Sequence, residues 1–271
     1  MEMHTKEEKL QAFSRLLDVM DTLREKCPWD RKQTYQSLRP NSIEEVYELC
    51  DALLKEDDLN ICKELGDVLL HIVFYAKIGS ERGQFDIADV CNKLCDKLIY
   101  RHPHVYGQTK VDGTEQVLQN WEQLKTKEKD GNKTVLSGVP VSLPSVIKAD
   151  RIQEKASNVG FDWHEKEDVW PKVKEEISEF EAEIANMDKD KATREFGDIM
   201  FSLINAARLY HINPDTALEH TNEKFIRRFT YVELAAKAQG REIKDLTLEE
   251  MDALWNEAKK KEKQGYGRTD S

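Results

Sequence analysis

The stretch that decides the fold is EEISE at residues 175–179, followed after fifteen residues (180–194) by EFGD at residues 195–198. Side chains three or four positions apart share one face of an α-helix. Glu176 and Glu179 therefore project together from one helix, and the two acids of the second segment project together from the next. Two antiparallel helices would bring these four carboxylates into one small volume.

Four carboxylates at close range repel one another and raise each other's pKa, so the arrangement requires compensating positive charge. Oxygen ligands with no nearby Cys or His predict Mg²⁺, with Mn²⁺ as a substitute, rather than Zn²⁺. For one such motif alone, the alternative is a solvated helix start whose carboxylates complement the helix dipole. The predicted metal ligands are Glu176, Glu179, Glu195 and Asp198.

The same pattern occurs earlier in the chain, which weakens that alternative. EEVYE at residues 44–48 is followed, again after fifteen residues (49–63), by ELGD at residues 64–67. The offset is 131 for both segments (175 − 44 and 198 − 67), so the spacing is reproduced together with the residue types. This indicates a duplicated helical unit.

A glycine recurs inside the second acidic segment of each repeat, as Gly66 and Gly197. Glycine within a helix is unfavourable by about 1 kcal/mol relative to alanine. We therefore expect another backbone or a ligand to approach closely at these positions.

Length and composition favour an all-α protein with two domains. The chain has 271 residues with only twelve Gly and seven Pro, and 34% of its residues are charged. Its mean hydropathy of −0.70 suits helices that bury one stripe and hydrate the other. The predicted organisation is an N-terminal domain that is structural or weakly active, a linker, a C-terminal catalytic domain and a disordered tail, at residues 1–130, 131–145, 146–263 and 264–271 respectively.

The formal net charge of −11 argues against nucleic acid or an acidic membrane as a partner, because both would repel such a surface. The first residues are charged and no apolar run of about 18 residues occurs, so we expect a cytoplasmic protein. The five cysteines contain no Cys-x-x-Cys pair, and we expect reduced thiols in the core or half-buried.

Two local features give expectations about helix boundaries and burial. Ser42 followed by Glu45 has the spacing of a capping box, so the first acidic motif is expected to open a helix there. Pro28 and Trp29 follow the first amphipathic helix, and we expect a buried loop anchor in preference to a ligand contact.

Cations and an aromatic residue recur in both repeats and point to a phosphate ligand. Lys224 and Arg228 lie four apart on one helix, and Trp255 and Lys259 lie four apart on another. An amine and a guanidinium beside Mg²⁺ would neutralise a triphosphate, and an aromatic ring could stack on a base or sugar. The alternative is that each cation is an exposed ion-pair partner within its helix. The counterparts in the first repeat are Lys97, Arg101, Trp121 and Lys125, at offsets of 127 and 134.

The two acidic segments, together with four short motifs, resemble the MazG family of all-α nucleoside triphosphate pyrophosphohydrolases. The resemblance covers about residues 10–261 and implies tandem helical-bundle domains, each completed by dimerisation into a homodimer. It also implies Mg²⁺-dependent hydrolysis of NTPs and dNTPs to monophosphate and pyrophosphate with broad base tolerance, housecleaning of nucleotide pools and a link to nutritional stress. The motifs are CPWD at 27–30, RHPH at 101–104, VGFDW at 159–163 and NEKF at 222–225.

The resemblance also implies that the C-terminal repeat is the catalytic one. In agreement, Lys172 and Lys191 correspond by the 131 offset to Asn41 and Asn60, so the first repeat lacks two cations. Glu175 would contact the nucleotide or orient a water. The implied catalytic residues are Glu175, Glu176, Glu179, Glu195, Asp198, Lys224 and Arg228. The implied nucleotide contacts are Lys172, Glu175, Glu176, Lys191, Arg194, Asp198, Lys224, Arg228, Trp255, which would cover the base or ribose, and Lys259.

Three other classes of protein share part of this sequence pattern. A ferritin-like di-iron bundle needs Glu-x-x-His pairs, and no histidine of this sequence has Glu three positions before it. A non-catalytic helical scaffold would have the same apolar stripes, and a narrower dUTPase or dCTPase relative would have similar acids. The sequence leaves open the preferred base, the number of metal ions, the phosphorus that is attacked and the identity of any regulatory protein partner.

Overall fold

The computed structural model describes residues 3–114, 116, 117, 120, 121, 124 and 134–263, and within them it contains helices and no β-strand. The all-α prediction is therefore confirmed for this part of the chain. The α-helices are α1 (Lys6–Lys26), α2 (Tyr35–Leu54), α3 (Asp58–Glu81), α4 (Ile87–Arg101), α5 (Pro103–Tyr106), α6 (Ser145–Ser157), α7 (Val169–Ala185), α8 (Lys189–Leu209), α9 (Pro214–Ala238) and α10 (Leu248–Lys263). Short 3₁₀ turns occur at Asp30–Lys32, Lys166–Asp168 and Ile243–Asp245.

The chain divides into two compact units, Met1–Trp121 and Glu122–Ser271. The domain boundaries expected from the sequence stay predictions. Residues 125–133, which include Lys125 and the end of the predicted first domain, lie outside the described residues, as does the predicted tail at 264–271.

In the first unit, α2 begins earlier than the acidic motif. The Thr34 hydroxyl accepts a hydrogen bond from the backbone N–H of Ser37, and the Ser37 hydroxyl accepts one from the backbone N–H of Thr34. These two bonds form a capping box at the start of the helix. The expected cap at Ser42 is therefore wrong, because Ser42 lies two turns inside α2 and its hydroxyl donates to the Leu38 carbonyl. Pro40 is also accommodated inside the helix.

Helices α2 and α3 form an antiparallel pair, since only three residues separate them and they pack along their length. Asp57 caps α3 by accepting from the backbone of two residues in its first turn. Helix α1 packs against α3. The core between these three helices contains Met20, Leu38, Val73, Phe74 and Ile78.

Two burial expectations for this unit are wrong. Trp29 is 58% exposed, whereas its neighbour Asp30 is buried, where its backbone carbonyl accepts from Arg24. The loop is thus anchored through its backbone and not through the indole. All five cysteines are free thiols as expected, but Cys27 is the half-buried one and the other four are exposed.

The second unit repeats the antiparallel helix pair with α7 and α8. Met187 turns the chain with a positive φ of 58°, and Asp188 then caps α8. Pro171 lies in the first turn of α7, where its missing N–H costs no helix hydrogen bond. Helix α6 packs against α8 and α9, and α10 packs against α9.

Gly66 and Gly197 do not mark a close backbone approach within the described chain. Apart from the neighbouring residues and the backbone of its own helix, a Cβ atom built on either glycine would meet no atom of the described chain within 4 Å. That half of the expectation is wrong, and the approach of a ligand or of a second chain stays a prediction. Among the described residues, no helix is both long and apolar enough to cross a membrane.

Candidate metal and nucleotide site

The α7–α8 pair brings together three of the four predicted metal ligands. Glu176 and Glu179 on α7 and Glu195 on α8 each offer a carboxylate oxygen, and these oxygens all lie within 4.8 Å of one another. Glu176 is buried and Glu179 is exposed, so the group lies at the edge of the helix pair. Asp198 is outside this group of three. It lies one turn further along α8 and lines an adjoining cavity together with Glu176.

The local electrostatics indicate that this group carries surplus negative charge. Burial first, and then the negative charges of Glu176 and Glu195, raise the pKa of Glu179 above its usual range. Lys172 offsets part of this charge because its Nζ lies 2.7 Å from Glu176 and 3.0 Å from Glu175. The hydrogen bond to Glu176, followed by that to Glu175, raises the pKa of Lys172. An oxygen-only donor set with surplus negative charge fits a hard divalent cation.

The first unit gathers the equivalent acids. Oxygens of Glu45, Glu48 and Glu64 also lie within 4.8 Å of one another. Burial first, and then the nearby charge of Asp67, raise the pKa of Glu45. Lys63 pairs with one oxygen of Glu64 at 2.7 Å, while the other oxygen is buried without a hydrogen-bond partner. The repeated sequence pattern thus corresponds to a repeated carboxylate geometry.

A cavity of about 670 Å³ opens beside the carboxylates of the second unit. This volume is within the range of small-molecule sites. Its walls combine apolar and aromatic side chains with a few polar groups. They include Ile152, Gln153, Ala156, Phe161, Asp162, Trp163, Val169, Lys172, Glu176, Asp198, Phe201, Ser202, Asn205 and Arg208.

An ion pair holds the loop at one wall of this cavity to α8. Arg208 donates to both carboxylate oxygens of Asp162, at 2.9 and 2.5 Å, and to the side-chain oxygen of Asn205. Burial works against ionisation of Asp162, but hydrogen bonds from Arg208 and Ser157 outweigh it and hold the pKa of Asp162 below its usual range. The pair fixes the position of the segment that carries Phe161 and Trp163.

The corresponding interior of the first unit is filled. By the 131 offset, Asn205 corresponds to Phe74, which is 2% exposed and belongs to the core. Ser202 corresponds to His71, which is buried.

The first unit's carboxylates border a different space instead. It is a polar depression of about 500 Å³ with Lys55 as its one lysine, and Lys55 pairs with Asp51 at 2.9 Å. The depression is lined by Glu44, Tyr47, Glu48, Asp51, Ala52, Lys55, Asn60 and Glu64, so it would repel a triphosphate.

Among the described residues, no contact joins the predicted cations of α9 and α10 to the carboxylate group. Arg228 donates to Glu262 at 2.9 and 2.7 Å and stacks on Trp255, 5.5 Å from the ring centre. The equivalent Arg101 lies 6.0 Å from the ring centre of Trp121. The recurring Arg–Trp contact supports the correspondence between the repeats that the sequence predicts.

The other predicted cations are exposed. Lys191 lies within 4 Å of Asp188, at 3.5 Å, and of Glu183, at 3.9 Å. Lys224, Arg194 and Lys259 are exposed, and no ion pair among the described residues ties any of the three to the carboxylate group. The structure therefore brings together Glu176, Glu179 and Glu195 with Lys172 beside them, and among the described residues no ion pair joins the other predicted cations to this group.

Sequence reasoning missed the polar residues of the cavity wall. Gln153, Asn205 and Arg208 lie on amphipathic helices, where a polar residue is most simply assigned to the solvated face. Within the VGFDW motif at residues 159–163, Asp162 was the available signal for a charged partner on α8.

Helix pairs that each gather glutamates around one point, repeated in tandem, define an all-α protein with two carboxylate sites. Comparison with known proteins gives the family. The MazG nucleotide pyrophosphohydrolase domain matches residues 33–106 and again residues 164–232. The chain belongs to the MazG family, and the resemblance and the tandem architecture predicted from the motifs are confirmed.

Similar proteins match nearly the whole chain. The nucleoside triphosphate pyrophosphohydrolase of Escherichia coli K12 is 40% identical over 260 residues, covering 93% of this chain and 99% of that protein. The nucleoside triphosphate pyrophosphohydrolase/pyrophosphatase MazG of Thermotoga maritima is 41% identical over 250 residues, covering 91% and 95%. The uncharacterized protein YabN of Bacillus subtilis is 46% identical over 264 residues, covering 95% of this chain but 54% of YabN.

Proposed function

We propose that this protein is a Mg²⁺-dependent nucleoside triphosphate pyrophosphohydrolase that converts NTPs and dNTPs to monophosphates and pyrophosphate with broad base tolerance. The observation that carries the proposal is the convergence of Glu176, Glu179 and Glu195 beside a cavity large enough for a nucleoside. The similarity to two enzymes named for this activity supports it.

Glu176, Glu179, Glu195 and Asp198 are proposed to hold the cation, for which Mn²⁺ is a substitute. A bound Mg²⁺ supplies a water of lowered pKa and neutralises phosphate oxygens. Glu175 is proposed to orient the attacking water or to contact the nucleotide. Its bond to Lys172 places it at the edge of the carboxylate group.

The proposed role of the cations is electrostatic and involves no proton transfer. Lys172 already lies against the carboxylates and can exchange these contacts for a phosphate oxygen. Lys224 and Arg228 are proposed to stabilise charge on the pyrophosphate leaving group. The remaining proposed nucleotide contacts are Lys191, Arg194, Trp255 and Lys259.

The C-terminal unit is proposed as the catalytic one. It has Lys172 and Lys191 where the first unit has Asn41 and Asn60, and its carboxylates border the apolar cavity. Neither feature occurs at the described carboxylates of the first unit, whose neighbouring depression is mainly acidic.

A homodimer is part of the proposal because equivalent apolar residues are exposed in both repeats. Leu65 and its counterpart Phe196 are 52% and 51% exposed, and Ile72 and its counterpart Leu203 are also exposed. Such a face is typical of an interaction site. Light scattering checks this, and a mass near 31.5 kDa would contradict it.

The test of the proposed function is pyrophosphate release from the four NTPs and four dNTPs at equal concentration. We expect release with Mg²⁺ or Mn²⁺, a monophosphate as the second product and no release with EDTA. Turnover of dUTP or dCTP alone would replace the proposal with a narrower dNTPase. No turnover of any nucleotide would leave a helical scaffold. A cytoplasmic location, nucleotide-pool housecleaning and a nutritional-stress role are proposed on the family resemblance alone.

A further inference from the structure

One buried polar atom in the cavity wall has no role in the mechanism proposed above. Gln153 on α6 is only 6% exposed and lines the cavity. Its Nε2 donates to the backbone carbonyl of Phe201 at 2.8 Å. Its Oε1 is buried and has no hydrogen-bond partner.

The bond to Phe201 fixes which end of the amide is unpaired. A backbone carbonyl can only accept, so the amide must present its nitrogen to Phe201 and leave its oxygen without that contact. Leaving a buried acceptor unpaired is unfavourable. Because this oxygen is enclosed in the structure, a movement of the side chain would have to turn it to the cavity, where an N–H donor of a bound molecule would remove the deficit.

The walls favour a flat heteroaromatic occupant. Phe161, Trp163 and Phe201 line the same cavity, and aromatic side chains stack on bases without regard to sequence. The cavity also borders Glu176 and Asp198, where the proposed function places the metal and the phosphates. The charge of Arg208 is already paired with Asp162, so it does not impose a charged ligand.

We propose that Gln153 is a specificity-determining residue that accepts a hydrogen bond from an N–H of the nucleobase. Adenine and cytosine offer an exocyclic amine, guanine an amine and a ring N–H, and uracil and thymine a ring N–H. A single acceptor therefore accommodates every common base and selects against bases that lack an N–H donor. The inference rests on the proposed function and places the base in this cavity, which leaves the ribose for the predicted contact with Trp255.

The test uses substrate pairs that differ in the donor. Purine ribonucleoside triphosphate is ATP without its amine, and N3-methyl-UTP is UTP without its ring N–H. For the wild type we expect kcat/KM to fall about 10-fold on losing the donor, the scale of one hydrogen bond. For Gln153→Met, which keeps the side-chain length, we expect the ratio within each pair to fall to about 1, as in a double-mutant cycle.

Gln33→Met is the matched control. Gln33 also donates its amide to a backbone carbonyl, that of Trp29, but in the first unit. We expect this variant to keep the wild-type ratio. A merely structural role of Gln153 would lower kcat/KM for both members of a pair and leave their ratio unchanged, which would overturn the proposal.

The wild-type ratios test the inference without any variant, so a poorly folded Gln153→Met protein would not prevent a decision. Equal kcat/KM for both members of each pair in the wild type overturns the inference and leaves the proposed function intact. Absence of turnover for every nucleotide overturns the proposed function and this inference with it.

Discussion

The two carboxylate groups have the same geometry but different surroundings. In each unit three equivalent glutamates approach within 4.8 Å. In the first unit, Phe74 fills the space behind them, whereas in the second unit Asn205 takes its place and an apolar cavity remains. The difference teaches that a repeated acid motif specifies a group of converging carboxylates, and that the residues behind it decide whether a cavity opens beside that group.

The difference extends to a polar trio in the first unit. Ser42 lies 3.0 Å from Nδ1 of His71 and also contacts the hydroxyl of Tyr75. These side chains join α2 to α3 through the interior. Their counterparts by the 131 offset are Val173, Ser202 and Ala206. Ser202 and Ala206 are smaller than His71 and Tyr75 and leave more room, and Val173 is apolar.

The largest expected effect is a difference in catalytic activity between matched substitutions in the two units. Asp198→Asn should lower kcat for pyrophosphate release about 10³-fold, the scale for removing one electrostatic group from an active site. Asp67→Asn, the matched change in the first unit, should leave most of the activity. Steady-state kinetics on ATP with Mg²⁺ measures both. The reverse outcome would move catalysis to the first unit.

The next effect is a difference in the free energy of unfolding lost by matched substitutions in the two units. Phe74→Ala should lower the free energy of unfolding by about 3 kcal/mol, because it opens a cavity in the core. Asn205→Ala, at the equivalent position, should cost much less because that side chain already borders open space. Urea denaturation followed by circular dichroism compares them. Equal losses would show that the second interior is as tightly packed as the first.

A third substitution transfers the first unit's packing to the second. Asn205→Phe should raise KM for NTPs about 10-fold by filling the cavity, because burial of a base against the aromatic walls is lost. The control is Asn92→Phe on the exposed face of α4, which should leave KM unchanged. An unchanged KM for Asn205→Phe would mean that the nucleotide does not use this cavity.

The smallest effect concerns pH. Burial lowers the pKa of His71 below its ordinary value of 6.5, although the charge of Asp67 partly opposes this. The unfolded chain therefore binds the proton more readily, so this contribution to stability is lost as pH falls from above 6.5 through the lower folded pKa. His71→Ser, which copies Ser202, should flatten the pH dependence of the urea midpoint over that window. A dependence that persists in the variant would assign it to other groups.

Much of the fold could be predicted from the sequence because the acids report helix faces directly. The 3.6-residue period and the 131 offset identified α2, α3, α7 and α8, and the structure has them as antiparallel pairs. The start of α2 was missed because two capping signals compete there. Thr34 with Ser37 closes the helix end, and Ser42 is used for a contact with α3 instead.

The candidate site could be predicted only in part, for a physical reason. Acids at i and i+3 share one helix face, so the group of Glu176, Glu179 and Glu195 could be predicted from the spacing of the residues. The cavity depends on side chains from three separate segments, and their meeting is a property of packing that no local period records. The position of Gln153 and Arg208 in the cavity wall follows only from the packing of α6, the 158–163 loop and α8.

Lys172 gives the carboxylates of the second unit a built-in counterion, and Lys63 does the same for the first. Since each cluster has a tethered ammonium, the chain can reach its native form before any ion arrives. Chelation should then stop the proposed Mg²⁺-dependent activity reversibly without unfolding the chain, in contrast to small zinc domains whose folding depends on the metal. In the proposed function, the metal ion would therefore bind to a site that is already folded.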